Sequence, residues 1–240
     1  MPRAVLCLPT YNERENLEPM IRALGDVLDT EQDRVLVIDD GSPDGTGRIA
    51  DALAAELPWV SVVHRERKEG IGPAYIVGFR WALAEGAQLV LEMDCDFSHS
   101  PADVPRLIDA SAEAELVLGS RYVPGGGTQN WGLVRRFVSR GGCLYAQILL
   151  GLRVRDLTGG FKCFQRKALE AIDLDALSAH GYAFQIETTY RVRRAGLRVR
   201  EVPIIFVERR AGASKMTGSI VTEAIWKVPL LRLRALTGKL

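Results

Sequence analysis

The chain has 240 residues, 47% of them hydrophobic and 25% charged, a globular balance that excludes a disordered or fibrous protein. No run approaches the ~18 consecutive apolar residues of a membrane-spanning helix, and the apolar N-terminal stretch is too short for a secretory signal. Four scattered cysteines without a CxxC pair argue against a disulfide framework or a structural zinc site, so cytosolic residence is expected. The formal charge of +1 conceals a division. Residues 1–120 carry 10 basic and 22 acidic side chains, net −12, whereas residues 121–240 carry 21 basic and 8 acidic, net +13. An acidic half suits cation use, and a basic half suits anionic partners.

In chain order, near-continuous apolar runs at 3–8, 34–38, 59–63, 88–93 and 115–120 predict five buried strands. Amphipathic segments at 13–28, 43–57, 72–86 and 102–112 predict the intervening helices, with Asn12 and Ser42 as N-caps and Pro43 in a first helical position. This alternation predicts a mostly parallel α/β sheet with ligands beyond the carboxyl ends of its strands. After residue 120 the alternation breaks. Gly125-Gly126-Gly127 reads as a flexible loop, 131–152 as a basic amphipathic helix, and 156–162 as a turn-rich loop before another helix. Residues 183–195 read as helical, 198–207 as extended and 216–238 as a basic apolar tail that Pro229 would kink or interrupt. No repeat or linker divides the chain, so the expectation is one domain over 1–240.

Polar groups gather in the loops after the strands. Asp94-x-Asp96 follows the fourth strand, and two carboxylates at that spacing can chelate a hard divalent cation, with Ser98 adding an oxygen. Such a cation would stabilise a diphosphate leaving group. Taken alone, the pair also reads as a polar turn, and His99 reads equally as a hydrogen-bonded turn residue or as a participant, so it is left out of the site. Asp39-Asp40-Gly41 can accept hydrogen bonds from a base or ribose, or can simply turn the chain. Two nucleotide-fold readings fail: GSPDGTG lacks the Gly-Lys-Ser/Thr ending of a P-loop, and Gly70-Ile71-Gly72 has Tyr75 where a dinucleotide fingerprint needs glycine.

Together LPTYNE, VIDDGSPDGT, RKEGIGPAY and MDCDFSHSP, each at a strand end, resemble glycosyltransferase family 2 with the GT-A fold. GSRYVPGG, WGLVRRFVSRGG, RDLTGGFKCF and FVERRAGASKM extend the resemblance, within that family, to the dolichol- or polyprenol-phosphate mannose synthases, over about residues 5 to 217. The resemblance implies a nucleotide-sugar and metal half (1–120), an acceptor half (121–217) and a basic amphipathic tail (218–240). It implies that Pro9, Tyr11, Glu13, Ile38, Asp40, Lys68 and Cys95 hold GDP-mannose, and that Asp94, Asp96 and Ser98 hold Mg²⁺ or Mn²⁺. Arg121, Arg209 and Lys215 would meet the donor phosphates, while Arg121, Arg135 and Ser139 would meet the phosphate of a polyprenyl (dolichyl) acceptor. Asp96, Arg121 and Arg135 would carry catalysis. On spacing alone Arg136 is as good an anchor as Arg135.

The implied reaction is inverting mannosyl transfer. UDP-glucose-dependent transfer to the same lipid is the alternative within the fold, and a non-catalytic nucleotide-binding, membrane-docking module is the alternative outside it. Expected partners are a membrane surface met peripherally on its cytoplasmic face, an integral partner subunit as another means of anchoring, and no nucleic acid. The 220–240 segment mixes Trp226 and leucines with Lys227, Arg232, Arg234 and Lys239, which suits either an interfacial helix or one packed on the core.

Overall fold

A computed structural model describes residues 1–177, 181–208, 218–238 and 240, with residue 182 and residues 218–224 described as backbone only. The five expected strands form within two residues of their apolar runs: β1 (Ala4–Thr10), β2 (Asp33–Asp39), β3 (Val60–His64), β4 (Leu89–Glu92) and β5 (Leu116–Ser120). Between them lie α1 (Leu17–Gly25), α2 (Thr46–Glu56), α3 (Ile71–Ala84) and α4 (Val104–Ala110), the last preceded by a 3₁₀ turn over Pro101–Asp103. The expected caps are not used. Helices α1 and α2 start at Leu17 and Thr46, so Asn12, Ser42 and Pro43 stay in the loops. Asn12 takes a left-handed conformation (φ 57°), and its backbone N–H donates to Ser42 Oγ at 3.0 Å. These short polar groups satisfy one another between loops instead of capping a helix.

The remaining elements are β6 (Gly127–Gln129), α5 (Leu133–Leu150), β7 (Lys162–Gln165), α6 (Arg166–Glu170), α7 (Gly181–Arg194), β8 (Val199–Pro203), β9 (Ile205–Val207) and α8 (Gly218–Leu236). The seven-stranded sheet has the order β3-β2-β1-β4-β7-β5-β8, and β6 pairs with β9 in a small parallel ribbon. All strands of the large sheet run one way except β7, which is antiparallel to β4 and β5. The sequence reading placed a loop and then a helix here. Four residues, KCFQ, are too few to declare a period, and Lys162 disguises a buried position.

The sheet has two covered faces. Val5, Cys7, Leu36 and Ile38 point toward α3, α5, α7 and α8, while Leu6, Leu8, Val35 and Val37 point toward α1, α2 and α4. This is the period-two alternation of a strand buried on both sides. Tyr75, Phe79, Phe164 and Phe184 interlock on the first face, each ring contributing about 1.5–3 kcal/mol of burial. Helix α8 continues through Pro229, against the expected interruption. Val228, Leu231 and Ala235 bury around the proline and anchor the helix to the core.

Strand order reverses between β1 and β4, whose exit loops carry Tyr11–Glu13 and Asp94–Ser98. A crevice is expected there in an open α/β sheet. Because β7 runs backwards, its lead-in loop, with Asp156 and Thr158, arrives at the same edge.

Candidate active site

At the exits of β1, β2 and β3 the polar loops brace one another. The Glu13 N–H donates to Thr46 Oγ1 (3.0 Å), and the Glu13 carboxylate accepts from Asn16 Nδ2 (2.8 Å). Arg65 Nη1 donates to Asp40 Oδ1 at 2.6 Å. Burial raises the Asp40 pKa, and the adjacent Arg65 charge opposes the shift. Gly41 has φ 67°, and a Cβ there would come within 2.9 Å of the Glu66 carbonyl oxygen, so no other residue fits this turn without strain. Lys68 Nζ lies 4.5 Å from the centre of the Tyr11 ring, a cation–π contact at the rim of the crevice. Pro9, Tyr11, Glu13, Asp40 and Lys68 are thus brought to one edge. Ile38 and Cys95 are not. Both side chains are buried, Ile38 toward α3 and Cys95 in the opposite face of the core, and they support the site from behind.

The loop after β4 folds back on itself. Phe97 takes φ 60°, an unusual conformation for a bulky residue, and this returns Ser98 to Asp96. Asp96 Oδ1 accepts from the Ser98 N–H (3.0 Å) and Ser98 Oγ (2.5 Å). The buried Ser98 hydroxyl therefore braces the carboxylate, a different placement from the expected ligand. Asp94 is partly exposed, and its N–H donates to His99 Nδ1 at 3.3 Å. His99 is buried between Phe161 and Phe206, and burial pushes its pKa down to about 4 against the pull of Asp96. It holds the loop as a neutral acceptor.

Two hard carboxylates on one turn fit Mg²⁺ or Mn²⁺. Among the described residues no cluster of three or more His, Cys, Asp or Glu could hold an ion alone. Two carboxylates would leave coordination positions for water or for oxygens of a bound ligand.

Beneath this loop, Glu92 on β4 pairs in register with Lys162 on β7. Burial pushes Glu92 up to about 7 and Lys162 down to about 8, each charge partly offset by the other. Lys162 Nζ donates to the Gln185 carbonyl (2.8 Å) and Thr188 Oγ1 (3.0 Å), tying α7 to the floor of the site.

Arg121 differs from expectation. Its Nε and Nη2 donate to the two oxygens of Asp156 (2.7 and 2.6 Å), Nη2 also donates to Thr158 Oγ1 (2.9 Å), and the side chain is 5% exposed. Burial opposes ionisation of Asp156, but the Arg121 charge outweighs it and holds the carboxyl below its usual range. Only Nη1 makes no hydrogen bond among the described residues, so at most one edge of the guanidinium is left for a phosphate. Glu201 braces the pair by accepting from Ser120 Oγ (2.7 Å) and the backbone N–H groups of Asp156 (2.9 Å) and Arg155 (2.8 Å). Asp156 stands in the RDLTGGFKCF motif without an expected role, and no motif contains Glu201. The pair spans 35 residues, and nothing local announces it.

Beyond Arg121, the ring of Trp131 lies 4.1 Å from the Arg135 guanidinium, and Arg135 Nη1 donates to Glu208 at 2.5 Å. Ser139, one turn further along α5, accepts from Tyr122 Oη at 2.7 Å. Arg136 is exposed and turns to the Thr128 carbonyl, which separates it from Arg135. The Val207 N–H donates to the Ser98 carbonyl at 3.1 Å, so the strand end bearing Glu208 is bonded to the Asp94–Ser98 loop. Arg209 and Lys215 lie outside the described residues.

Comparisons with known proteins bear on the family and the fold. The profile described as Glycosyl transferase family 2 matches residues 5–173. An undecaprenyl-phosphate mannosyltransferase of Micrococcus luteus is 50% identical over 226 residues, covering 94% of this chain and 92% of the relative. A polyprenol monophosphomannose synthase of Mycolicibacterium smegmatis is 47% identical over 228 residues, covering 94% and 85%. Glucosyl-3-phosphoglycerate synthase from Mycobacterium tuberculosis, solved with Mn²⁺, UDP and glucosyl-3-phosphoglycerate, has a TM-score of 0.72 at 23% identity, covering 96% of this chain and 80% of that one. At that identity the likeness concerns the fold.

Proposed function

The chain belongs to glycosyltransferase family 2 and has the GT-A fold, and from that premise we propose that it transfers mannose from GDP-mannose to a polyprenyl monophosphate, giving polyprenyl-phosphate β-mannose and GDP. The observation that carries this reading is the junction at Ser98. The acidic loop suited to a metal–diphosphate is hydrogen-bonded to the strand end that reaches Arg135, and Arg135 sits among exposed apolar side chains of α5. A donor diphosphate and a lipid phosphate can meet there.

In this reading the guanosine lies against Tyr11 and Lys68, with Asp40 as hydrogen-bond acceptor. Asp94 and Asp96 would hold Mg²⁺ or Mn²⁺, which when bound would supply charge neutralisation to a diphosphate leaving group. Ser98 fixes the Asp96 carboxylate beforehand, and His99 fixes the Asp94 backbone. Arg135 and Ser139 receive the lipid phosphate, and Arg209 and Lys215 are proposed for the donor phosphates. A phosphate monoester is already anionic near neutral pH, so no dedicated base is required. One of its oxygens attacks the anomeric carbon as the bond to the diphosphate breaks, which inverts the configuration. The protein's contribution is to position two anions that would otherwise repel.

No helix among the described residues is long and apolar enough to cross a membrane. The lipid is reached instead through α5 and α8, which touch through the hydrogen bond from Tyr145 Oη to the Ile225 carbonyl (2.8 Å). Phe137 (81% exposed), Trp226 (78%), Leu133 and Leu236 lie open on these helices, interspersed with Arg136, Arg140 and Arg234. Apolar groups with cations among them match the interface of an anionic bilayer. Helix α8 packs one side on the core, as one of the two expectations for the tail had it, and in this reading its exposed side meets lipid. The four cysteines form no disulfide, which suits a reducing compartment, so we place the enzyme peripherally on the cytoplasmic face of a membrane.

The test offers the purified protein radiolabelled GDP-mannose and UDP-glucose in parallel, with undecaprenyl phosphate in detergent micelles and Mg²⁺ or Mn²⁺. Lipid-extractable label from GDP-mannose is expected. Label from UDP-glucose alone would replace the donor, and no label from either would favour a non-catalytic module.

A further inference from the structure

Glu208 has no part in donor or metal binding as proposed, yet it is the anion that Arg135 holds. The contact is single: Nη1 donates to Oε1, while the buried Nε finds no partner among the described residues. Arg135 and Glu208 are 23% and 36% exposed, so a ligand can reach the pair. Both partners are held from behind. The Glu208 N–H donates to the Gln129 carbonyl (3.2 Å) and the Val207 N–H to that of Ser98 (3.1 Å), while Arg135 rests on Trp131, which packs edge-on against Phe206. The carboxylate is thus delivered by β9 to the guanidinium edge that a phosphate monoester would use.

Carboxylate and phosphate present similar oxygen pairs to a guanidinium, but the phosphate carries more charge and more acceptor oxygens. We propose that Glu208 is the resident counter-anion of the acceptor-phosphate site, which the lipid phosphate must displace. The exchange makes Glu208 a residue that sets the affinity of this site for any phosphate, lipid-borne or free. It lowers the occupancy of Arg135 by free phosphate, whereas an acceptor confined to the bilayer plane beside α5 competes at high effective concentration. The proposal rests on the reading of Arg135 as the acceptor ligand.

The experiment compares wild type, Glu208→Gln, Glu208→Ala, Arg135→Ala and the Arg135→Ala/Glu208→Ala double variant, with undecaprenyl phosphate in micelles as acceptor and inorganic phosphate as competitor. Each Glu208 variant is expected to lower both the acceptor KM and the phosphate Ki by about fivefold, the scale of a partly exposed ion pair, with the donor KM unchanged. In the Arg135→Ala background the Glu208 effect should vanish. A purely structural role for Glu208 would raise the acceptor KM or move both substrates together. Unchanged or raised acceptor KM in the Glu208 variants, with Arg135→Ala still impaired for acceptor, would overturn the counter-anion role alone. An unaltered acceptor KM in Arg135→Ala would instead overturn the reading beneath it.

Discussion

The exits of β1, β2 and β4 keep Glu13, Asp40 and Asp96 buried and hydrogen-bonded, whereas α5 and α8 leave Phe137 and Trp226 in the open. Both regions meet at one edge of one sheet, but they differ in what fixes them. The first half is set internally, because its carboxylates are braced by loop N–H groups, hydroxyls and Arg65. The second half leaves apolar side chains of α5 and α8 uncovered among the described residues. The division matches the charge split of −12 and +13, and it teaches that a small soluble ligand and a lipid need opposite preparation. In the proposed reading the former meets a preset polar crevice, and the latter meets side chains kept out of the core.

Breaking the preset half should cost the most. Asp96→Asn keeps the shape of the side chain and removes its charge, and a loss of about 10³-fold in turnover is expected, with a retained circular-dichroism spectrum and a flattened metal titration. A rate near wild type would remove Asp96 from the metal role. Next comes the pair between the two regions. Asp156→Ala leaves Arg121 buried without its anion, at a cost of about 3–5 kcal/mol, so calorimetry should record a fall in Tm of about 10 °C.

The open half is sharpened by Phe137→Ser combined with Trp226→Ser. Both side chains are exposed, so Tm should hold, while sedimentation with anionic vesicles should show binding reduced about tenfold or more. The smallest effect concerns His64, whose pKa is raised foremost by its hydrogen bond to Asp51, with Asp39 adding to it. Its stabilisation is present below the unfolded value of about 6.5 and is lost as pH rises through the higher folded value. His64→Gln should flatten that part of the Tm-versus-pH curve by about 1 °C.

How far the sequence could be read follows the same boundary. Strands β1–β5 were legible because each is a near-continuous apolar run, and the Asp94–Asp96 loop because its groups are consecutive. Strand β7 was not, since a buried Lys162 breaks the apolar pattern and its pairing with Glu92 exists only across the sheet. Ile38 and Cys95 share motifs with site residues, yet chain alternation turns their side chains into the core. Arg121 was located at the right edge, but its engagement by Asp156 depends on the reversal of β7. The caps failed at Asn12 and Ser42 because their partners lie 30 residues apart.

The division of labour is tested most directly by initial-rate kinetics of Arg135→Ala with both substrates varied. An increase of about tenfold or more in the KM for undecaprenyl phosphate, with an unchanged KM for GDP-mannose, is the predicted result, as for loss of one charge-assisted contact. Equal increases for both substrates, or a change confined to the donor, would contradict the assignment of α5 to the lipid.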